Sequence, residues 1–452
     1  MYTTSAEDAI PVHSLDAESL ESWKDSAGQA ARRWVENSGF DAAAGTHALI
    51  PDEQGELAQV LAGRSTSGRL WALAHLPAVL PPGNYRLATE AGDDERQRLA
   101  LGWALGHYRF DRYKTVSKPA ARLVVEPGHK ERLEALAGSM FWVRDLVNTP
   151  AMDMGPAELA AEAQRLAKQH NAQFRVFEGD ELAHEFPAIQ AVGQASSRGP
   201  RLIRLQWGRA DAPALALVGK GVVFDTGGLD IKPGSGMVLM KKDMGGAAHV
   251  LGLARTIMTL GLDVDLRVYI PAVENAISGN AYRPSDIVKT RRGLSVEIGN
   301  TDAEGRVVLA DALALASEEG AERIINFATL TGAARVALGE DLPPLYARDT
   351  EVGRQIQDLG FALEDPLWHM PLFEPYREQI QPAIADLSNT GSTPFAGSVT
   401  AALFLDSFVD DGIDWYHLDI YAWNLADRPG RPAGGEAQGL RSIWAWLESV
   451  YG

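Results

Sequence analysis

Past about Pro127 the chain repeats one pattern. A short apolar run of strand character is followed by a glycine- or proline-marked turn, and then by a stretch whose apolar residues recur at helical spacing. Helical spacing covers His129 to Val147 and, after a break at Asn148 to Pro150, Ala157 to Lys168, ahead of a strand at Gln173 to Phe177. Further strands are expected at Leu202 to Trp207, Ala214 to Val218, Val264 to Pro271, Leu294 to Ile298 and Arg323 to Ala328. Helices are expected from Gly246 to Leu260 and from near Ala303 onward. Apolar runs such as Ala214 to Val218 have no polar face, so they need cover on both sides. That requirement commits this part of the chain to an α/β fold with a largely parallel sheet and helices on both faces. In such sheets a ligand site lies beyond the carboxyl ends of the strands. Upstream, helical spacing from Asp94 to Tyr108 and a strand at Arg122 to Val125 predict a smaller N-terminal α/β domain. The domain boundary is placed near Pro127, giving domains 1–127 and 128–452.

Composition narrows the chemistry. The chain has no cysteine, which removes thiolate metal sites, disulfides and cysteine nucleophiles and leaves oxygen and nitrogen as the only metal donors. Sixty Asp and Glu against 42 Lys and Arg give a net charge of -18, a field that repels nucleic acid and anionic lipid. The start of the chain is polar and acidic with no signal-like apolar stretch, and no run approaches the roughly 18 apolar residues of a membrane span. A soluble, cytoplasmic protein with no membrane partner is expected.

Two clusters carry the polar chemistry. The first runs from Val218-Gly-Lys-Gly221 through Asp225, Gly227, Gly228, Asp230 and Lys232 to Met240-Lys-Lys-Asp243. Its glycines let the backbone turn sharply and approach a ligand, leaving Lys220, Asp225, Lys232 and Asp243 able to converge. The second is Asn300-Thr-Asp-Ala-Glu-Gly-Arg306, where a strand gives way to a helix. Asp302 and Glu304, spaced two apart in extended chain, point the same way. Asp225, Asp243, Asp302 and Glu304 thus form a hard, oxygen-rich set that suits a pair of carboxylate-bridged divalent cations; without cations such close charges repel, and some stay protonated. Taken singly, each Asp here reads equally well as a turn or helix cap. Lys220 between glycines does not make a phosphate loop, because the GxxxxGK[ST] spacing is absent. His249 reads as a helix residue rather than a ligand.

These motifs resemble the leucyl aminopeptidase family, also called cytosol aminopeptidases. Asn300 to Arg306 matches the family signature at every position, joined by Val218-Gly-Lys-Gly221, Phe224-Asp-Thr-Gly-Gly228, Ile231-Lys-Pro233, Asp243-Met-Gly-Gly-Ala-Ala248, Ala328-Thr-Leu-Thr-Gly332, Met370-Pro-Leu-Phe373 and His417-Leu-Asp-Ile420. The resemblance covers about Phe141 to the C-terminus and implies that 128–452 is a two-metal aminopeptidase domain with a central mixed, largely parallel sheet. It further implies one cation held by Lys220, Asp225, Asp243 and Glu304 and a second held by Asp225, Asp302 and Glu304. Zinc or manganese are the first candidates, with cobalt and magnesium compatible with the same ligands. By the same resemblance, Lys232 stabilises the oxygen of the tetrahedral intermediate, and Arg306 holds a bicarbonate that acts as general base, with Leu330 facing it. Met240, Thr329 and Gly332 line the pocket for the substrate's first side chain. The expected substrates are peptides with a free N-terminus, and the expected assembly is a homohexamer. To this assembly the apolar, aromatic segment Ile443 to Tyr451 could contribute a subunit contact.

Two features depart from the family pattern. The first 130 or so residues carry no matched motif, and His417-Leu-Asp-Ile420 continues into Tyr421-Ala-Trp-Asn424, where relatives place Ala-Gly. Tyr421 therefore bears on the width of the side-chain pocket. A different class of function, an aminopeptidase fold with an additional DNA-binding regulatory role, is weighed against by the charge of -18.

Overall fold

The computed structural model describes residues 1–65 and 68–452. The chain forms two compact units, one of Met1–Phe141 with Asn424–Ala433, the other of Trp142–Trp423 with Gly434–Gly452. The expected break near Pro127 coincides with the first residue of the helix Pro127–Asn148, and the division between units falls inside that helix. Pro127 marks a change of element: proline is favoured at a helix's first position, where its missing N–H costs nothing.

The first unit is built on a six-stranded sheet in the order Tyr2–Thr3, Ala121–Val124, Gly83–Leu87, Ile10–Leu15, Leu57–Gly63, His47–Pro51. All its neighbours are parallel except the last pair. The helix expected from Asp94 spans Asp93–Leu105 and buries Leu99, Trp103 and Leu105. Asp16 caps helix Ala17–Ser26, accepting from the Ser19 N–H at 3.0 Å, while the Ser19 hydroxyl accepts from the Asp16 N–H at 2.8 Å.

The second unit centres on a nine-stranded mixed sheet. Four strands at its middle, Asp414–Asp419, Arg323–Ala328, Ala214–Gly219 and Asp265–Asn275, are parallel neighbours in that order. Antiparallel neighbours extend it on both sides: Pro344–Ala347 beyond Asp414–Asp419, and Arg201–Trp207 then Gln173–Phe177 beyond Asp265–Asn275. The run at 214–219 is buried at every position, as its sequence demands. Helices Gly245–Leu260 and Glu304–Glu318 both pack on that strand and supply its cover. The short strand Gly221–Asp225 pairs with the far end of Asp265–Asn275, past a shift of register. The irregularity sets Asp225 opposite Asn275, the last residue of that neighbouring strand.

Two expectations need correction. The run at 294–298 contributes only Ser295–Glu297, and to a separate three-stranded sheet with Ile287–Lys289 and Leu387–Ser388. Its apolar residues are buried against helix Glu304–Glu318 and its neighbours, a need that periodicity alone cannot tell from membership of the main sheet. The C-terminal helix Leu440–Tyr451 buries Ile443, Trp444, Trp446 and Leu447 in its own chain, so these residues are not available for a subunit contact. No helix among the described residues is long and apolar enough to cross a membrane.

Besides Glu304 in its first turn, helix Glu304–Glu318 encloses a second acid, Asp311, fully buried. Its carboxylate accepts from the backbone N–H groups of Ala188 at 2.9 Å, Ile189 at 3.3 Å and Arg291 at 2.8 Å. It thus satisfies the first turn of helix Pro187–Gly193 and a loop that nothing else would satisfy. Asp311→Ala is expected to destabilise the protein by about 2–4 kcal/mol, since each buried donor left unpaired costs about 1–3 kcal/mol. Urea denaturation checks this, and a loss below about 0.5 kcal/mol, the range of neutral surface changes, would contradict it.

Candidate metal centre and active site

The carboxyl ends of the parallel strands converge as the sequence predicts. Lys220 follows strand Ala214–Gly219, Asp225 ends strand Gly221–Asp225, Thr329 and Leu330 follow Arg323–Ala328, and Ile420 follows Asp414–Asp419. Lys220, Asp225, Lys232, Met240, Asp243, Asp302, Thr329, Leu330 and Gly332 line one cavity of about 210 Å³. Glu304 and Arg306 lie behind its wall, buried in the first turn of helix Glu304–Glu318. A larger cavity, about 290 Å³, lies wholly in the first unit and is lined by Arg86, Asp93, Arg96 and His129 without a carboxylate cluster.

Two lysines bridge four carboxylates. Lys220 Nζ is 2.8 Å from Asp243 and 2.9 Å from Glu304; Lys232 Nζ is 2.9 Å from Asp225 and 2.5 Å from Asp302. Lys220 also donates to the Thr329 carbonyl at 3.0 Å, and the Thr329 hydroxyl donates to Asp243 Oδ1 at 2.8 Å. Residue 305 must be glycine for this to hold, because a Cβ there would come within 2.4 Å of Lys220 Cε. Gly227 and Gly228, at φ of +87° and +66°, make the turn that returns the chain to Lys232.

Asn275 and Asp230 tie the two motif clusters together and Asn389 braces the second, and of these only Asp230 lies in a motif. Asn275, at the end of its strand, donates to Asp225 Oδ1 at 2.8 Å and to the Thr301 carbonyl at 3.1 Å. Asp230 accepts from the Thr301 N–H at 2.8 Å, and Asn389 accepts from the Gly299 N–H at 2.7 Å and donates to the Asn300 carbonyl at 2.8 Å. Isolated polar residues at strand ends and in loops give no spacing signal. Only the amide at the end of a buried strand, Asn275, carries a hint. His249 behaves as the sequence suggests, enclosed in its helix and accepting from the Gln438 N–H at 2.9 Å.

Charge is out of balance in this cluster. Burial, with Asp243 nearby, pushes Asp225 up to about 6, and burial with Asp225 pushes Glu304 well above the carboxylate range. Asp243 is held low against its own burial by Lys220 and Lys242. Burial favours the neutral amine of Lys220, but Asp243, Glu304 and Asp225 outweigh it and hold the proton on. Asp225, Asp302 and Glu304 each offer an oxygen within 4.8 Å of the others, the one such group among the described residues; Asp243 joins it through Lys220. Both Glu304 oxygens, Asp302 Oδ1 and Asp243 Oδ2 are buried without a properly oriented hydrogen bond, even where a lysine nitrogen is close. Hard oxygen donors with unmet acceptor capacity are what divalent cations require, so this donor set fits them.

Arg306 is 8% exposed, and its Nε has no hydrogen-bond partner among the described residues. Burial lowers its pKa to about 10, opposed by Asp419 and Glu304. Asp419 is occupied by the N–H groups of Leu330 at 3.0 Å and Thr331 at 3.1 Å and by the Thr331 hydroxyl at 2.6 Å. The Leu330 N–H is thus already spent. Lys242, 3% exposed beside Asp243, is pushed down to about 7 by burial and by Arg335 and Lys220.

Comparison with known proteins agrees with this geometry. Residues 141–444 match the catalytic domain of the cytosol aminopeptidase family, and residues 10–126 match the N-terminal domain of M17 aminopeptidases. A probable cytosol aminopeptidase of Syntrophotalea carbinolica is 40% identical over 397 residues, 83% of this chain and 78% of the relative. Another from Aquifex aeolicus is 39% identical over 78% of this chain and 74% of its own. Among solved structures, the cytosol aminopeptidase of Coxiella burnetii superposes with a TM-score of 0.96 at 48% identity, covering 99% of this chain and 98% of the other. The bottromycin maturation enzyme BotP in complex with Mn gives 0.89 at 31%, covering 98% and 99%. The two-domain architecture with helix-flanked mixed sheets is shared with these proteins. A catalytic-domain match of this extent shows that the chain belongs to the M17 cytosol aminopeptidase family and is a metallo-exopeptidase hydrolase of the leucyl aminopeptidase type.

Proposed function

We propose that the protein removes N-terminal residues from peptides with two divalent cations, Lys232 as electrophile and an anion on Arg306 as base. The observation that carries this reading is the convergence of Asp225, Asp302 and Glu304 oxygens within 4.8 Å, with Lys220 and Asp243 beside them. Lys220, Asp225, Asp243 and Glu304 would hold one cation and Asp225, Asp302 and Glu304 the other. Together the cations would supply Lewis acidity, a more acidic water and an anchor for the free amine of the substrate. Zinc or manganese suits the ligands first, cobalt and magnesium next. A lysine can ligate only as the free amine. Burial already drives Lys220 that way, and the carboxylates opposing it are those that cations would neutralise.

Lys232 faces the cavity with its ammonium group between Asp225 and Asp302, where it can donate to a carbonyl oxygen as negative charge develops there. Arg306 holds a buried guanidinium at a helix's first turn, a place suited to an anion, and bicarbonate is the anion the family resemblance implies. Leu330 would border that anion by position, its N–H being given to Asp419. Met240, Thr329 and Gly332 line the same cavity and are assigned to the substrate's first side chain. The protein is taken to work in the cytoplasm as a homohexamer, which light scattering would show as about six times the 48.8 kDa chain; a fully active monomer would contradict it.

Glu304→Ala and Asp225→Ala should each lose most of the bound metal and all measurable turnover, with elemental analysis as the check. Near-normal metal content in either would remove this cluster as the metal site. Lys232→Ala should keep its metal and lose about 100-fold to 1000-fold in kcat, the typical cost of one oxyanion donor. Turnover within a few-fold of normal would refute its role. Arg306→Ala should likewise retain metal and lose turnover, and added bicarbonate should not restore it.

A further inference from the structure

Two cations in the cavity have no part in the chemistry proposed above. Lys242 and Arg335 line it alongside Met240, Thr329 and Gly332. Lys242 is 97% enclosed, being 3% exposed, and it makes no ion pair and no side-chain hydrogen bond among the described residues. Its Nζ stands 4.6 Å from the centroid of the Tyr421 ring, and the Arg335 guanidinium stands 4.8 Å from the same centroid. The acids that attract Lys242, Asp243 and Asp419, are engaged elsewhere: Asp243 with Lys220 and Thr329, Asp419 with Leu330 and Thr331. Two like charges therefore share one ring with no anion between them. An enclosed ammonium with no acid in ion-pair contact is costly, and neither the attraction of Asp243 nor a ring face fully offsets that cost. An anion arriving from outside would supply the ion-pair partner that this wall lacks.

We infer that this wall of the cavity is a subsite for a carboxylate on the side chain of the substrate's N-terminal residue. Lys242 is its specificity-determining cation, Tyr421 the platform that holds it, and Arg335 a second cation at the mouth. The enzyme would then prefer N-terminal glutamate or aspartate over leucine. The inference rests on the proposed reading that Met240, Thr329 and Gly332 border the side-chain pocket. A carboxylate could also come from the C-terminus of a dipeptide. Lys242 and Arg335 share their wall with the residues assigned to the first side chain, which favours the side-chain source. In this arrangement the Tyr421 ring orients cations, so its effect on specificity comes through charge more than through pocket width.

The test compares hydrolysis of glutamyl, glutaminyl and leucyl amides, and of Leu-Gly with its C-terminal amide, by the metal-restored enzyme and its Lys242→Met and Arg335→Gln variants. The expected result is a kcat/KM for glutamyl amide at least about tenfold above the glutaminyl isostere, a preference that Lys242→Met abolishes and Arg335→Gln reduces. Calorimetric titration of metal-stripped enzyme should show tighter binding of L-glutamate than of L-glutamine, with the difference lost in Lys242→Met. Equal hydrolysis of the two amides would overturn the subsite. So would an acid preference that survives Lys242→Met, or a gain for Leu-Gly over its amide in place of the side-chain effect. If Lys242→Met does not fold, Arg335→Gln, a change at an exposed position, decides by the same ratio. Failure of the enzyme to hydrolyse any of these amides with any metal restored would instead strike at the aminopeptidase reading itself, which separates the two failures.

Discussion

Four carboxylates crowded at the ends of buried strands, facing only two lysines, are the interaction on which the rest of this structure depends. Repulsion among Asp225, Asp243, Glu304 and the half-buried Asp302 is strong because burial of the first three removes the water that would screen it. Lys220 and Lys232 offset half of that charge, each spanning a pair of acids at 2.5–2.9 Å. Burial, together with the repulsion that remains, drives Asp225 and Glu304 toward their protonated forms. A fold that tolerates such a cluster is organised to receive positive charge.

The surrounding architecture serves that cluster. The strands at 214–219, 323–328 and 414–419 stop at one edge and deliver Lys220, Thr329 and Asp419 there, while strand Gly221–Asp225 ends with Asp225 opposite Asn275. Helix Glu304–Glu318 then brings Glu304 and Arg306 up from beneath. Its Gly305 leaves the space that Lys220 occupies. The side chains of Asn275 and Asp230 fasten the two loops together, and Asn389 braces the second loop from its other side, so that neither loop can shift without the other. Precise positions for the acids come from this fastening as much as from the motifs.

Much of this was legible in the sequence, for physical reasons. Strands Ala214–Gly219 and Arg323–Ala328 lie almost where continuous apolar runs place them, because a strand covered on both faces has no other composition. The carboxylates and glycines of both clusters were visible because sharp turns and cation binding each demand particular residue types. Asn275 and Asn389 were not, since one polar residue far along the chain from its partner leaves no local pattern. Residues 424–433 join the first unit after nearly 300 residues in the second, and nothing in their composition announces it. Lys242 was equally silent: beside Asp243 in Met240-Lys-Lys-Asp243 it reads as an ordinary solvated charge, and only tertiary packing encloses it.

The central claim is that the buried acids exist to hold cations that make the chain an exopeptidase. The most direct measurement strips the protein with a chelator, restores one metal at a time, and follows hydrolysis of a dipeptide amide and its N-acetylated counterpart. Two ions per chain should return together with activity on the free-amine substrate alone. Activity that survives complete metal removal, or equal cleavage of the acetylated substrate, would contradict it.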